Sequence, residues 1–274
     1  MRAAAALATS VLLMACDKPA GTASAAANGG NTAPAAAPPP ARPVPAALRA
    51  RVLRTLPHDR RAFTQGLVLH EGTLYESTGL PGQSTLRRVE LATGRVLARV
   101  DLDTPLFGEG LARVGNRLYQ LTWQDGRALV WNLETFAKEK EYRYEGEGWG
   151  LCYDGRRLVM SDGSDTLVFR DPETFKETGR VSVRHQGRPL QWLNELECVD
   201  GQVYANVWQQ PVIVRIDPAT GETNAWVDAS GLLSPEDAAG ADVLNGIAHI
   251  PGTGRFLLTG KLWPRLFEVE LVPR

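Results

Sequence analysis

The stretch that decides the fold is PLFGEGLARVGNRLYQLTW, residues 105–123. A second stretch of the same pattern, RAFTQGLVLHEGTLYEST, occupies residues 61–78. Each has a Phe, a Gly-Leu pair, a Gly-containing turn and a Leu-Tyr pair, which predicts two strands joined by a tight turn. Just before Gly-Leu, one copy carries Gln65 and the other carries Glu109. The scaffold is therefore repeated, while the side chain at this position is not.

The inner motif occurs five times along the chain. The residue after the variable position, here called the reference residue, recurs at intervals of 40 to 51 residues, within the range of a propeller blade. The five reference residues are Gly66, Gly110, Gly150, Glu195 and Gly246. Two more strands follow the motif, for example TLRRVEL and RVLARVDL in the first unit, and VIVRID and TNAWVDA in the fourth. Four antiparallel strands per unit, repeated radially, are typical of a β-propeller.

The last unit lacks one strand. After the fifth motif only RLFEVELVPR remains, which supplies one strand where two are needed. The N-terminal segment ARVLRTLP has the pattern of the missing outer strand. We therefore predict an all-β, five-bladed β-propeller whose ring is closed by the N-terminal strand in the last blade, because closure leaves only short sheet edges.

The first sixteen residues, MRAAAALATSVLLMAC, have a positive charge at Arg2 and then a short apolar run. This predicts a secretory signal, which is too short to span a membrane as a mature helix. The ending LLMAC resembles a bacterial lipoprotein signal with Cys16 as the lipidated residue, and cleavage with plain secretion is the alternative. We expect an exported, periplasmic protein that meets the membrane through a lipid anchor only.

The domain organisation follows from composition. Residues 17–46 are rich in Ala, Pro, Gly, Ser and Thr, which predicts a disordered tether. Residues 47–274 then form the propeller domain, which we expect to be monomeric. The chain has 30 Lys and Arg against 31 Asp and Glu, so its net charge of −1 argues against nucleic acid as a partner.

The cysteines and histidines argue against a metal site. Cys152 and Cys198 lie one position apart in the repeat register, so we expect them on opposite sheet faces and favour buried free thiols, while an oxidising compartment would permit a disulfide between them. The four histidines show no paired spacing, and there is no Cys-x-x-Cys motif. We expect no metal and no cofactor.

The repeat predicts a ring of side chains at one mouth of the channel, because the first strand of each blade lines that channel. The residues before the reference positions are Gln65, Glu109, Trp149, Asn194 and Asn245. The ends of the second strands contribute Gly79, Trp123, Gly163, Trp208 and Lys261. Taken singly, such Trp and Asn residues are ordinary packing and turn residues. Their shared register favours a small-molecule pocket instead, with Glu109 as the candidate general acid and base.

These motifs resemble the plant-type glutaminyl-peptide cyclotransferases, a glutaminyl cyclase family also found in bacteria. The resemblance is carried by FTQG, FGEG, TW, EGWGL, LNELE, NVW, LNGIA and TGKLWP, in family order between Phe63 and Pro264. It implies a five-bladed propeller that turns N-terminal glutamine of peptides or proteins into pyroglutamate and releases ammonia, without catalytic zinc. It also implies that Glu109 is the catalytic acid-base and that the pocket is lined by Phe63, Gln65, Trp123, Trp149, Asn194, Trp208 and Lys261.

Two other classes of protein remain open from the sequence. A propeller lactonase would use Glu109, Asn194 and Asn245 as oxygen ligands for calcium. Lys261 at the same mouth would repel that ion, and such enzymes usually have six blades. A non-catalytic periplasmic scaffold is the other alternative, although a scaffold has no reason to collect one acid and three indoles in a pocket.

Overall fold

The computed structural model describes residues 44–274. Within this range the chain forms 22 β-strands and no helix, so the described fold is all-β. It follows that none of these residues belongs to a helix long and apolar enough to cross a membrane. The predicted signal at residues 1–16, including Cys16, and the predicted tether up to residue 43 lie outside the described residues.

The first three repeat units form three separate four-stranded antiparallel sheets, in which strands pair in chain order. The first sheet comprises β2 (Thr64–His70), β3 (Thr73–Thr78), β4 (Thr85–Glu90) and β5 (Val96–Asp101). The second comprises β6 (Gly108–Val114), β7 (Arg117–Thr122), β8 (Arg127–Asn132) and β9 (Lys138–Arg143). The third comprises β10 (Leu151–Tyr153), β11 (Leu158–Met160), β12 (Thr166–Arg170) and β13 (Glu177–Ser182). A short hairpin follows, with strands β14 (Arg184–His185) and β15 (Arg188–Pro189).

The last two units share one eight-stranded sheet in the order β16-β17-β18-β19-β1-β22-β21-β20. Its first half comprises β16 (Leu193–Val199), β17 (Gln202–Val207), β18 (Val212–Ile216) and β19 (Thr223–Asp228). Its second half comprises β20 (Leu244–His249), β21 (Arg255–Gly260), β22 (Arg265–Pro273) and β1 (Ala46–Pro57). The N-terminal strand β1 therefore lies beside the last unit.

Strand β1 is held on both sides. It pairs antiparallel with β22, from Leu48 opposite Pro273 to Pro57 opposite Arg265. Its first residues also pair in parallel with β19, beginning with Ala46 opposite Ala225. Strand β1 is therefore the neighbour of β22, the last strand of the chain.

Two of the tight turns have the backbone conformation that a type I′ hairpin requires. Glu71 and Gly72 join β2 to β3 with φ values of 49° and 75°. Asp200 and Gly201 join β16 to β17 with φ values of 49° and 74°. A type I′ turn requires positive φ at both central residues, so these two predicted hairpins are confirmed.

The first strands of the five units contact one another in the order β2, β6, β10, β16 and β20, and β20 also contacts β2. Glycine at the reference positions permits this approach. A Cβ atom on Gly66 would come within 2.5 Å of the backbone nitrogen of Leu111, and one on Gly110 would come equally close to that of Leu151. A larger residue at either position would push neighbouring first strands apart.

Glu195 replaces glycine at the reference position of the fourth unit and is fully buried. Its Oε1 accepts a hydrogen bond from the backbone nitrogen of Leu67 at 3.2 Å, and its Oε2 accepts one from that of Ile247 at 2.8 Å. Burial raises the pKa of Glu195 well above its usual 4.5. The side chain thus connects β16 to β2 and β20, which explains the one departure from glycine.

The hydrophobic core lies between the faces of adjacent sheets. One cluster joins Leu167 and Phe169 of the third sheet to Val203 and Val214 of the next, and all four side chains are buried. Side chains from two neighbouring sheets therefore share one core.

The prediction of two free thiols is wrong, because Cys152 on β10 and Cys198 on β16 form a disulfide with Cα atoms 5.4 Å apart. The prediction assumed that cysteines on opposite faces of their own sheets cannot meet. Neighbouring sheets pack face to face, however, so one face of the third sheet meets the opposite face of the fourth. Opposite-face positions on adjacent first strands are therefore the positions that come together.

Candidate active site

The structure gathers all eight site residues predicted from the sequence around one cavity of about 510 Å³. These residues are Phe63, Gln65, Glu109, Trp123, Trp149, Asn194, Trp208 and Lys261. Phe107 and Trp192 also line the cavity and were not among the predicted residues. Asn245, which shares the register of Gln65 and Glu109, lies behind Gln65 rather than on the cavity surface.

Glu109 is the buried acid of the cavity. It lies near the start of β6 between two glycines and is only 4 % exposed. Burial raises the pKa of the Glu109 carboxyl well above its usual 4.5; the Lys261 ammonium opposes this rise and the Glu147 carboxylate adds to it. Its Oε2 has no hydrogen-bond partner among residues 44–274. One oxygen of an acid with a raised pKa is therefore left for a ligand.

The other oxygen of Glu109 is held by Gln65. Oε1 of Glu109 accepts a hydrogen bond from Nε2 of Gln65 at 2.9 Å. Nδ2 of Asn245 donates to Oε1 of Gln65 at 3.0 Å and to the backbone oxygen of Thr64 at 3.0 Å. This chain of amides fixes which end of Gln65 faces the acid.

Lys261 supplies a cation in the same cavity. It follows β21 and is 6 % exposed. Its Nζ lies 4.9 Å from the centroid of the Phe63 ring, a cation–π distance. Burial lowers the pKa of Lys261, while the carboxylates of Glu109 and Asp242 act in the opposite direction. No carboxylate among residues 44–274 forms a salt bridge with Lys261, so the ammonium is available to a developing negative charge.

Asn194 is the second amide that faces the cavity. It lies on β16, it is buried, and its Oδ1 has no hydrogen-bond partner within the described part of the chain. Its backbone oxygen accepts a hydrogen bond from Oγ of Ser161 at 2.7 Å, which fixes the strand in place. The backbone hydrogen bond therefore positions the Asn194 side chain, whose Oδ1 can still accept a hydrogen bond.

Two aromatic walls enclose these polar groups. In the first wall, the Phe107 ring lies 6.1 Å from Phe63 and 5.6 Å from Trp123. In the second wall, Trp149, Trp192 and Trp208 contact one another with ring separations between 5.3 and 6.3 Å. Edge-to-face and tilted pairs at these separations are favourable and help hold the rings rigid.

Glu147 joins the two walls. Its Oε2 accepts hydrogen bonds from Nε1 of Trp123 at 2.7 Å and from Nε1 of Trp149 at 2.9 Å. Its Oε1 accepts another from Gln124 at 2.9 Å. Although partial burial raises the pKa of Glu147, these donors lower it below 4.5, so the side chain is ionised near neutral pH. Sequence analysis did not identify this residue.

Two glycines at the ends of second strands make room for the rings. A Cβ atom on Gly79 would overlap the ring of Phe107, and one on Gly163 would lie 2.8 Å from the ring of Trp149. The register that carries Trp123, Trp208 and Lys261 in other units therefore carries glycine at these two positions, where the ring of Phe107 or Trp149 occupies the space.

Over residues 44–274, no group of three or more His, Cys, Asp or Glu side chains is placed to hold a metal ion. The cavity itself offers a buried acid with a raised pKa, an ammonium, two amides and six aromatic rings.

The fold and the site define a propeller-like, all-β enzyme with a single carboxyl group at the base of an aromatic cavity. Residues 22–271 match the glutamine cyclotransferase family, and the chain belongs to that family. It is 44 % identical over 226 residues to the glutaminyl-peptide cyclotransferase of Arabidopsis thaliana, covering 80 % of this chain and 70 % of the plant protein. It also resembles the crystal structure of Myxococcus xanthus glutaminyl cyclase, with a TM-score of 0.77 and 45 % identity over 84 % of this chain and 99 % of the other. The family resemblance of the sequence motifs is confirmed.

Proposed function

We propose that this chain converts the N-terminal glutamine of peptides and proteins to pyroglutamate and releases ammonia, with Glu109 as the proton carrier. Family membership supports the reaction. The observation that carries the role of Glu109 is its state in the cavity: it is buried, its pKa is raised, and within residues 44–274 only one of its oxygens is hydrogen-bonded. A buried carboxyl group with a raised pKa is suited to both taking and giving a proton.

The reaction needs two proton transfers. The neutral α-amine of the substrate attacks the carbon of its own side-chain carboxamide, and a C–N bond closes the five-membered ring. Glu109 takes a proton from the attacking nitrogen and then gives one to the departing NH₂ group, which leaves as ammonia when the old C–N bond breaks. Atoms and charge balance without water or a cofactor. General acid–base catalysis of this kind typically increases the rate by roughly 10²–10⁴-fold.

The carbonyl oxygen of the substrate gains negative charge in the tetrahedral intermediate. Lys261 and Asn194 line the same cavity as Glu109, and the Lys261 ammonium and the Nδ2 amide group of Asn194 are the donors proposed for this oxygen. Because both are buried, their interaction with the charge is screened less than it would be in water.

The aromatic walls hold the substrate in its reactive conformation. Trp123, Trp149 and Trp208 offer flat apolar surfaces to the three-carbon chain of glutamine. Holding the amine near the carboxamide lowers the entropic part of the barrier. An internal glutamine has no free amine, so only chain ends react.

The direct test is release of ammonia from the dipeptides Gln-Ala and Ala-Gln. The proposed reaction predicts ammonia and pyroglutamyl-alanine from Gln-Ala and no ammonia from Ala-Gln. Release from both would indicate a general amidase, and release from neither would contradict the proposal.

A calcium-dependent lactonase is not favoured by the site. Of the three residues that would supply oxygen ligands, Asn245 lies behind Gln65 and does not line the cavity, although its Oδ1 has no hydrogen-bond partner among residues 44–274. Lys261 contributes a cation to the same cavity. Ammonia release that survives EDTA supports the proposed route, whereas loss of activity in EDTA and its recovery with calcium would favour a metal-dependent enzyme.

We also infer that the sheets form a closed, five-bladed ring with β1 as the outermost strand of the last blade. The inference is supported by the cyclic contacts of the five first strands and by the pairing of β1 with β22. Removal of residues 44–57 should then expose the edge of β22 and lower the melting temperature sharply. An unchanged melting temperature would contradict closure by β1.

We further propose that the protein works outside the cytoplasm, attached to a membrane through lipidated Cys16 and exposed to the periplasm. The signal-like sequence at residues 1–16 supports export, and the Cys152–Cys198 disulfide suits an oxidising compartment. Cys16→Ser should move the protein from the membrane fraction to the soluble fraction. Equal membrane attachment of this variant would contradict lipidation at Cys16.

A further inference from the structure

We propose that Trp192 forms a binding subsite for the side chain of the substrate's second residue, and that this subsite favours aromatic and large aliphatic side chains. The proposal rests on the proposed cyclisation of N-terminal glutamine. It concerns the choice among such substrates rather than the chemistry itself.

Trp192 lies at the outer end of the second aromatic wall. It immediately precedes β16, two residues before Asn194, and its ring lies 5.3 Å from Trp208 and 6.3 Å from Trp149. Trp149 and Trp208 are half-buried, whereas Trp192 is 48 % exposed. The wall therefore continues from the interior of the cavity to its mouth.

The path of the substrate leads past this residue. The amine and carboxamide of the first residue must meet Glu109, which is 4 % exposed at the base of the cavity. The rest of the peptide then leaves through the mouth, because only a chain end enters. The second side chain is the first group to reach the exposed indole surface, which lies next to the rings proposed to hold glutamine.

The backbone of Trp192 is held in an uncommon conformation. Its φ is +69°, in the left-handed region that bulky residues rarely adopt. Its backbone nitrogen donates to the oxygen of Gly163 at 2.7 Å, and its own oxygen accepts from the nitrogen of Trp208 at 2.8 Å. A large apolar side chain is thus fixed in an exposed position at some cost in free energy, which is typical of functional sites.

The alternative is that Trp192 only packs against Trp208 and so supports the glutamine pocket. In that case its loss would affect every substrate alike. In the proposed subsite, its loss affects substrates with a large second side chain more than those without one. Comparison of Gln-Phe with Gln-Gly separates the two roles, because the first residue is identical in both.

The experiment measures kcat/KM for ammonia release from Gln-Phe, Gln-Leu and Gln-Gly. We expect the wild type to favour Gln-Phe and Gln-Leu over Gln-Gly, and Trp192→Ala to reduce this preference by about two- to tenfold, the range of one aromatic contact. Trp192→Phe should keep part of the preference. Trp192→Gly, which suits a positive φ, should lose it as Trp192→Ala does.

Leu97→Ala is the matched control, since Leu97 is 43 % exposed on β5 and does not line the cavity. It should leave the preference unchanged. An equal fall for all three peptides in Trp192→Ala, or no change in their ratio, would overturn the subsite while leaving the cyclase activity standing. Failure of the wild type to release ammonia from any of the three would instead contradict the proposed function.

Discussion

Nε2 of Gln65 lies 2.9 Å from Oε1 of Glu109 and donates a hydrogen bond to it. The direction of this bond is fixed, because Oε1 of Gln65 accepts from Asn245 and leaves only the amide nitrogen to face the acid. A donor to a carboxylate favours its ionised form, whereas burial favours the neutral form. Glu109 is therefore a strongly desolvated acid whose one hydrogen-bond donor among the described residues, Gln65, is neutral. Both residues occupy the same position of the repeat.

Gln65→Leu should move the acidic limb of the kcat/KM profile to higher pH. The substitution removes the donor that favours the ionised carboxylate, so the pKa of Glu109 should rise further. The first step requires the ionised form, and activity near neutral pH should fall. The pH dependence of ammonia release from Gln-Ala measures this shift. An acidic limb at the wild-type position, or a similar shift in the exposed control Gln83→Leu, would contradict the role of Gln65.

Glu147→Gln should move the same limb in the opposite direction. The Glu147 carboxylate raises the pKa of Glu109, and the substitution removes that negative charge. A glutamine oxygen still accepts hydrogen bonds from Trp123 and Trp149, so the walls remain joined. Titration of kcat/KM with Gln-Ala should show an acidic limb below that of the wild type. A shift to higher pH would show that Glu147 acts through something other than its charge.

The repeat register predicts most of the site. Residues one position before the reference residues include Gln65 and Glu109, and strand alternation places positions two residues apart on the same face. Three positions before the reference residues stand Phe63, Phe107, Glu147 and Trp192. This second register contains both of the missed cavity residues and the carboxylate that joins the walls. The sequence alone contains this second register, since all four residues stand at the same distance from their reference residues.

Other features depend on contacts between units and so lie beyond a single-unit pattern. The disulfide of Cys152 and Cys198 forms because faces of different sheets meet. Asn245 has the register of a cavity residue, yet it turns to Gln65 and Thr64. Which of several equivalent polar residues faces the cavity is decided by the partners that adjacent units provide.

The buried pair of His58 and Glu76 should make stability depend on pH. Nε2 of His58 lies 3.0 Å from Oε1 of Glu76. Burial alone lowers the pKa of His58, but the Glu76 carboxylate more than offsets this, and the pKa lies above the usual 6.5. The stabilisation from protonation is therefore complete below pH 6.5 and is lost as pH rises through the folded-state pKa.

His58→Gln should lower the free energy of unfolding at pH 6 by about 3 kcal/mol, the lower end for a broken buried pair. Arg87 still lies 3.8 Å from Glu76 and limits the loss. The difference between wild type and variant should be smaller at pH 9. Urea denaturation at the two pH values measures this, with His70→Gln as the control. A difference that grows with pH would contradict a raised pKa at His58.

The Cys152–Cys198 disulfide should contribute about 2–4 kcal/mol to stability, as is usual for a bridge that closes a long loop. The cysteines are 46 residues apart in sequence. A reducing agent should lower the melting temperature of the wild type and leave that of the Cys152→Ala/Cys198→Ala variant unchanged. Equal melting temperatures for the oxidised wild type and the double variant would contradict a stabilising bridge.

The central claim is that one buried carboxyl group carries the proton in the cyclisation of N-terminal glutamine. Glu109→Gln keeps the shape of the side chain and removes its ability to exchange a proton at neutral pH. The most direct measurement is kcat for ammonia release from Gln-Ala, with a melting curve to verify folding and exposed Glu134→Gln as the matched control. We predict a loss of roughly 10²–10⁴-fold in kcat for Glu109→Gln alone. A folded Glu109→Gln variant that turns over Gln-Ala at close to the wild-type rate would contradict the account.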